Sequence, residues 1–224
     1  MVKITLEQTV TIIIPTLNAA AALGPTLAAC AGFPVLVADG GSTDGTPDLA
    51  RQAGARVVAA PRGRGTQLAA GAAAATTDWL LFLHADTRPG PGWAAAVRDA
   101  MATPGLARYF AFALDDASPA ARRLERRVAW RCRVLALPYG DQGLLISRRL
   151  YDELGGYGPQ VLMEDVDLVR RIGRRRLELL DHDAVTSAER YVRGGYLRCT
   201  TRNLACLGLW YAGMAPERIA RIYR

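Results

Sequence analysis

Between residues 10 and 84 the chain alternates short apolar runs with alanine-rich stretches, and few folds accept that order. The runs at 10–14, 35–38 and 56–59, and the run that ends at His84, are short and apolar, as buried strands are. Residues 19–31, 47–53 and 65–77 lie between them and read as helices. Strand–helix alternation at this spacing predicts an α/β fold: a Rossmann-like, mostly parallel sheet flanked by helices and joined by right-handed crossovers.

Two of these strands stop at residues that carry chemistry, and the C-terminal ends of strands are where open α/β sheets hold ligands. One ends at Asp39, followed by Gly40 and Gly41, which let backbone approach a ligand. Ser42, Thr43 and Asp44 then offer capping oxygens to a helix beginning near Pro47. A capped turn explains half of this pattern. The other half is Asp39 as a nucleotide contact, with Asp44 serving structure. The other strand runs into His84-Ala85-Asp86. Residues i and i+2 at a strand end project to the same side, so imidazole and carboxylate can converge on one divalent ion. The plainer alternative is that Asp86 caps the next loop and His84 is a satisfied core histidine.

Arg62-Gly63-Arg64-Gly65 lies between a strand and a helix start, where backbone N–H groups and guanidiniums suit a diphosphate. A solvated arginine loop is the equal alternative, and the lysine and spacing of a P-loop are absent. The second half is less regular. Helices are expected at 89–101, 118–137 and 149–154, with strands at 108–114 and 144–147. In the second of these helices Leu124, Val128, Cys132 and Leu135 form an apolar stripe opposite Arg122, Arg126 and Arg133. That basic face is either solvated or rests on anionic lipid. The loop 139–143 carries Asp141 and Gln142. Glu164 and Asp165 open a further helix, where the dipole favours acids by about 0.3–1 kcal/mol each. Two adjacent acids, with Asp141 in a glycine-flanked loop, also suit an acid/base pocket. His182, between two aspartates, is a metal or phosphate ligand or simply exposed, and residues 194–224 read as largely helical.

The 224 residues are expected to form one domain, with a nucleotide-binding half at 1–90 and an acceptor-side half at 91–224. Hydrophobic residues at 50% and charged residues at 22% mark a globular chain. A net charge of +7 suits anionic ligands such as nucleoside diphosphates, or an anionic membrane face. Nucleic acid is not an expected partner, because aromatics are only 7% and no recognition motif interleaves them with the arginines. Cys30, Cys132, Cys199 and Cys206 lack CxxC spacing and read as small buried hydrophobes in a reducing cytosol. Residues 1–10 lack a signal-peptide pattern, and Pro15, Asn18, Gly24, Pro25, Gly32 and Pro34 break the uncharged stretch 8–38. The expected location is cytoplasmic, with peripheral contact to the inner membrane at most. The apolar tail residues Leu204, Leu207, Leu209, Trp210, Tyr211 and Met214 either pack on the domain or meet a membrane or a second subunit. Packing is favoured, since large exposed apolar patches are rare in monomers.

In order, IIIPTLN, VADGGSTDGT, RGRGTQLAAGAAAA, WLLFLHADT, YGDQGLLISRRLYDELGGY and LMEDVDLVRRI resemble the family 2 glycosyltransferases of GT-A fold over nearly the whole chain. The HAD triplet, the GDQ loop and the tail are similar to a small bacterial subgroup of family 2-like transferases. The resemblance implies that Asp39 contacts the nucleotide base and that Pro15, Thr16 and Asn18 line the nucleoside pocket. It makes Asp86 the last acid of a DxD motif for Mn²⁺ or Mg²⁺, and Asp165 the catalytic base of an ED motif with Glu164 as partner. His84 replaces the first DxD acid, Gly40 the second acid of the usual paired aspartate, and Ala19 the acid that often follows Pro-x-x-Asn. On these terms a sugar moves from a nucleotide-diphosphate donor to the hydroxyl of a sugar, lipid or small-molecule acceptor, metal-assisted and with inversion. Gly40, Arg62, Arg64, Asp141, Gln142, Arg190 and Arg193 are expected at the substrates. The competing functions are a non-catalytic nucleotide-binding module and a nucleotidyltransferase, though IIIPTLN lacks the glycine-rich phosphate loop with which the latter usually opens.

Overall fold

The computed structural model describes residues 9–223. Residues 1–8, on which most of the signal-peptide reading rests, and Arg224 at the end of the tail lie outside the described residues. At the centre is β1 (Val10–Thr16), buried along its whole length. Its apolar side chains serve two faces in alternation. Ile12 and Ile14 pack with Leu23 and Leu27 of α1 (Ala20–Ala29) and Trp93 and Val97 of α4 (Trp93–Ala100). Ile13 packs with Leu68 and Ala72 of α3 (Arg64–Ala74). A Cβ on Gly71 would stand 2.4 Å from Ile13 Cγ2, so α3 lies directly on the sheet and carries Arg64, at its N-terminus, toward the strand ends.

β1 pairs in parallel with β2 (Val35–Asp39) on one side and β4 (Trp79–Phe82) on the other, and β3 (Arg56–Ala59) extends the sheet beyond β2. α2 (Thr46–Gln52) connects β2 to β3. The strand order thus reverses at β1, and a crevice opens between the C-terminal ends of β1 and β4. This is the parallel half that the alternation predicts.

Beyond β4, where the sequence pattern is less regular, the sheet also takes antiparallel pairings. β7 (Leu144–Ser147) runs antiparallel to β4 and to β6 (Ala107–Leu114). β8 (Leu177–Thr186) is parallel to β6, and β5 (Thr87–Pro89) closes the edge against it. Neither β5 nor β8 is visible in the sequence pattern. β8 carries Glu178, Asp181, His182 and Asp183 on a strand that is only partly covered, so its apolar alternation is broken. β5 contains a proline, tolerated because it lies at the sheet edge.

The helices follow with shifted ends. α4 begins at Trp93 rather than at residue 89, and α1 continues through Pro25. α5 (Pro119–Leu135) buries Leu124, Val128 and Cys132 as expected, but Leu135 is 54% exposed. After α6 (Arg148–Glu153) and α7 (Glu164–Ile172), the tail divides into α8 (Glu189–Gly194), α9 (Tyr196–Tyr211) and α10 (Pro216–Tyr223). Ile219 of α10 and Cys206 and Leu207 of α9 are buried with Met163 and Val166, so the tail packs on the body through these residues. The four cysteines are buried and unpaired. No helix among the described residues is long and apolar enough to cross a membrane.

Candidate active site

A cavity of about 790 Å³ opens at the crevice between β1 and β4, within the size range of small-molecule sites. Pro15, Thr16 and Asn18 line one wall, Arg62, Arg64 and Gln67 the next, and His84 and Asp86 the end of β4. Asp141, Asp165 and Arg190 come from the second half.

The first wall is set by hydrogen bonds between the β1 and β2 loops. Asn18, in the left-handed region at φ 51°, donates its N–H to Ser42 Oγ (2.8 Å) and accepts the Thr43 N–H on Oδ1 (2.9 Å). Asp39 is buried, and its carboxylate accepts from Thr16 Oγ1, Ser42 Oγ and the N–H groups of Gly41 and Ser42 at 2.5–3.0 Å. Burial works to raise this carboxyl, but the bonds from Ser42, Thr16 and Gly41 outweigh it and hold the group below its ordinary value. Asp39 does not line the cavity, so the expected base contact requires one of these donors to yield. Gly40 is also set back: a Cβ there would lie 3.0 Å from Gln67, whose Nε2 donates to the carbonyls of Thr16 (2.6 Å) and Ala38 (2.9 Å). Asp44 has the structural role expected of it, accepting from Thr46 and from the Ala20 N–H.

The opposite wall brings together residues far apart in the chain. α7 begins after Met163, whose left-handed φ of 66° costs about 1–2 kcal/mol in a non-glycine residue. That turn sends Glu164 into the protein, where it is 0% exposed, and leaves Asp165 on the cavity. Asp165 Oδ2 accepts the Gly140 N–H at 2.7 Å, and Oδ1 accepts the Val166 N–H at 2.7 Å. A Cβ on Gly140 would stand 2.5 Å from His84 Nε2 and 3.4 Å from Asp165 Oδ2, so only glycine lets these groups meet. Arg131 anchors the same loop, its guanidinium lying 3.5 Å above the Tyr139 ring and donating to Leu137 O at 2.8 Å.

Charge is concentrated here. Burial pushes Glu164 up to about 7, opposed by Arg64 and reinforced by Asp165. Burial likewise pushes Asp141 up to about 6, opposed by Arg131 and reinforced by Asp165. Burial, then Arg64 and Arg190, holds His84 well below the usual imidazole value, which keeps it neutral. Asp86 is exposed at the cavity, and its carbonyl accepts the Ser187 N–H at 3.0 Å.

A model of glycosyl transferase family 2 matches residues 11–147. The chain belongs to this family. Proteins named as uncharacterized glycosyltransferases in Mycobacterium tuberculosis and Mycobacterium bovis are 44% identical over 79 residues, 34% of this chain. The chain spans only 36% of the length of these relatives. A mannosyltransferase from Pyrobaculum calidifontis in complex with GDP-Man and Mn²⁺ superposes with a TM-score of 0.66 at 23% identity, covering 96% of this chain and 67% of that one. Glucosyl-3-phosphoglycerate synthase from Mycobacterium tuberculosis, in complex with Mn²⁺, UDP and glucosyl-3-phosphoglycerate, gives 0.58 at 22% identity over 81% and 73%. At these identities the likeness is one of fold, the GT-A fold.

Besides Asp39, Gly40 and the buried Glu164, three further candidate residues of this family 2 chain fall outside the cavity. Gln142 turns into the core, donating to Phe110 O at 3.1 Å and accepting from Arg131 at 3.1 Å, because the 3-10 turn at Gly140–Gln142 points it away from Asp141. Arg193 is exposed and paired with Glu189 at 3.2 Å. His182 lies beside Gly92, whose added Cβ would stand 3.2 Å from its Nε2. Conversely, α10 supplies Glu217, Arg221 and Tyr223 to the cavity. Arg190 donates to the Tyr223 hydroxyl, and its guanidinium lies 5.3 Å from the Tyr191 ring centre and 5.4 Å from that of Tyr223. The spacing of Ile219 and Ile222 marks an amphipathic helix, but nothing in it says which cavity the polar side meets.

Proposed function

We propose that this chain transfers a sugar from a nucleotide-diphosphate donor to an acceptor hydroxyl, with inversion at the anomeric carbon. The observation that carries the proposal is Asp165, fixed on the cavity by the Gly140 N–H opposite a wall of Thr16, Asn18 and arginines. The nucleoside lies along Pro15, Thr16 and Asn18, and the diphosphate meets Arg62 and Arg64, with Arg190 on the far side. An acceptor hydroxyl is too weak an acid to attack unaided, so a base must stand within about 3 Å of it. Asp165 takes that proton as the acceptor oxygen bonds to the anomeric carbon and the diphosphate leaves from the opposite face. Fixed guanidiniums favour the departing charge, because they need no reorganisation as it develops.

The fold family implies a divalent ion, and the side chains just beyond β4 decide whether one fits. Among the described residues no group of three or more His, Cys, Asp and Glu side chains forms a self-sufficient metal site. Asp86 supplies a hard anionic oxygen, and neutral His84 is in the form that binds metals. This pair fits Mn²⁺ or Mg²⁺ shared with the donor's phosphates, since Mg²⁺ is commonly held by one or two carboxylates and a substrate diphosphate. When bound, the ion would neutralise charge on the leaving diphosphate.

A thermal-shift panel of UDP, GDP and their sugars, with and without Mn²⁺, tests the donor. A cognate nucleotide at 100 times its dissociation constant should add about 2.7 kcal/mol of stability. No stabilisation by any member would refute the proposal. Turnover of the stabilising donor separates a transferase from a binding module of the same fold.

The acceptor is a sugar, a lipid or a small molecule. A peripheral membrane contact is favoured by α5, where exposed Trp130 lies among Arg126, Arg127 and Arg133 on the outer face. Each well-placed arginine contributes about 1 kcal/mol toward anionic lipid. The protein should co-sediment with anionic vesicles at low salt and come off at high salt. Failure to bind at low salt points to a water-soluble acceptor, or to a homodimer interface at these exposed residues.

A further inference from the structure

Glu164 is the one acid of the site that has no access to solvent. It is 0% exposed, and neither carboxylate oxygen has a hydrogen-bond partner among the described residues. Its cation is Arg64, whose Nε lies 3.5 Å from Oε1. Arg64 faces two ways, for its side chain is 37% exposed and lines the large cavity. The other ionisable groups around Glu164 are Asp165 beside it on α7, His84 at the end of β4, and Tyr139 and Tyr157 from the loops, all lining one small cavity behind the site. The cation that faces Glu164 is Arg64, reaching it from α3.

A buried carboxylate without hydrogen bonds stays ionised only while a cation faces it. An anion entering the large cavity competes with Glu164 for the same guanidinium. A diphosphate engages arginine bidentately and brings more charge than one carboxylate.

We propose that Glu164 is a proton-exchanging positioning residue: it holds Arg64 in the ligand-free site and takes up a proton when a nucleotide diphosphate draws that guanidinium away. This rests on the nucleotide-donor reading above and deepens it by giving the second acid of the ED pair a role that never touches the reacting atoms. A neutral Glu164 would also remove a negative charge from behind Asp165, leaving the base with one fewer repelling neighbour.

The sign follows from the direction of the exchange. In the free protein burial and Arg64 together set Glu164 at about 7, and loss of Arg64 moves it higher. Below that value Glu164 is protonated in both states and donor binding is insensitive to it. Above it, free Glu164 is ionised and bound Glu164 is not, so binding takes up a proton and weakens by up to about tenfold per pH unit.

The experiment is calorimetric titration with UDP-glucose and with GDP-mannose at pH 8, Mn²⁺ present throughout, in two buffers of different ionisation enthalpy. These donors lack a phosphate monoester that titrates near neutrality, so they do not contribute protons of their own. The expected result is uptake approaching one proton per bound nucleotide in the wild type, and none in Glu164→Gln. Difference infrared spectra of the wild type should show the C=O stretch of a protonated carboxyl appearing with ligand. Nucleotide binding with no proton uptake in the wild type overturns the proposal, whether or not the Gln variant folds. Uptake that persists in Glu164→Gln overturns it as well. Absence of binding by any nucleotide sugar instead refutes the donor reading, and this inference with it.

Discussion

Asp165→Asn should lower sugar transfer by about 10²–10⁴-fold while nucleotide affinity stays near that of the wild type. The amide keeps the shape of the carboxylate but cannot accept the acceptor's proton. Its single carbonyl oxygen can satisfy either the Gly140 or the Val166 N–H, which in the wild type bond to different oxygens. The variant therefore loses one hydrogen bond, worth about 1 kcal/mol of stability, and remains folded. Single-turnover rates with the donor picked out by thermal shift, set beside nucleotide titrations of the same sample, separate the two effects. Wild-type turnover in this variant would remove Asp165 from the mechanism.

Asp86→Ala should abolish the metal-dependent part of nucleotide stabilisation and leave the metal-independent part in place. The reason lies in the donor count, because Asp86 is the only carboxylate of the His84/Asp86 pair. A cation shared with a diphosphate loses its fixed anionic anchor when that side chain goes. Where Mn²⁺ raises nucleotide binding from negligible to 100 times the dissociation constant, the loss is about 2.7 kcal/mol in stability. His84→Ala should cost less, since it removes a neutral donor. The readout is the thermal shift with nucleotide in Mn²⁺ against the same nucleotide in chelator. An Asp86→Ala protein that keeps the full Mn²⁺-dependent increment would end the assignment.

Much of the parallel half was legible because its information is local. The runs that became β1, β2 and β4 are buried on both faces, and such strands need no alternation to be recognised, whereas β3 at the sheet edge is only partly covered. β8 was not legible, since its charged residues reflect a position beside the edge strand rather than a period along the chain. Site residues divide in the same way. Thr16, Asn18, Arg62, Arg64, His84 and Asp86 sit on or just beyond the C-terminal ends of strands, and all of them line the cavity. Gln142 adjoins Asp141 in sequence and was expected beside it, yet the turn at Gly140–Gln142 buries one side chain and leaves the other on the cavity. Asp39 ends a strand as the pattern requires, but its four hydrogen-bond donors come partly from Thr16 of β1, which no reading of the β2 turn could include.

By itself the sequence determined the order of strands and helices in the parallel half and the chemistry available at each of its strand ends, because both depend on side chains within a few residues of one another. Tertiary structure decided which of those groups share a space. Gly140 and Asp165 are 25 positions apart and meet at 2.7 Å. Arg64 and Glu164 belong to different helices and meet at 3.5 Å. α10 enters the cavity because Ile219 is buried against α7 and α9. Whether an acid faces solvent, a base role or a buried cation depends on the dielectric and the partners around it. Glu164 and Asp165 stand next to each other in the chain, and the left-handed turn at Met163 sends one inward and the other to the site.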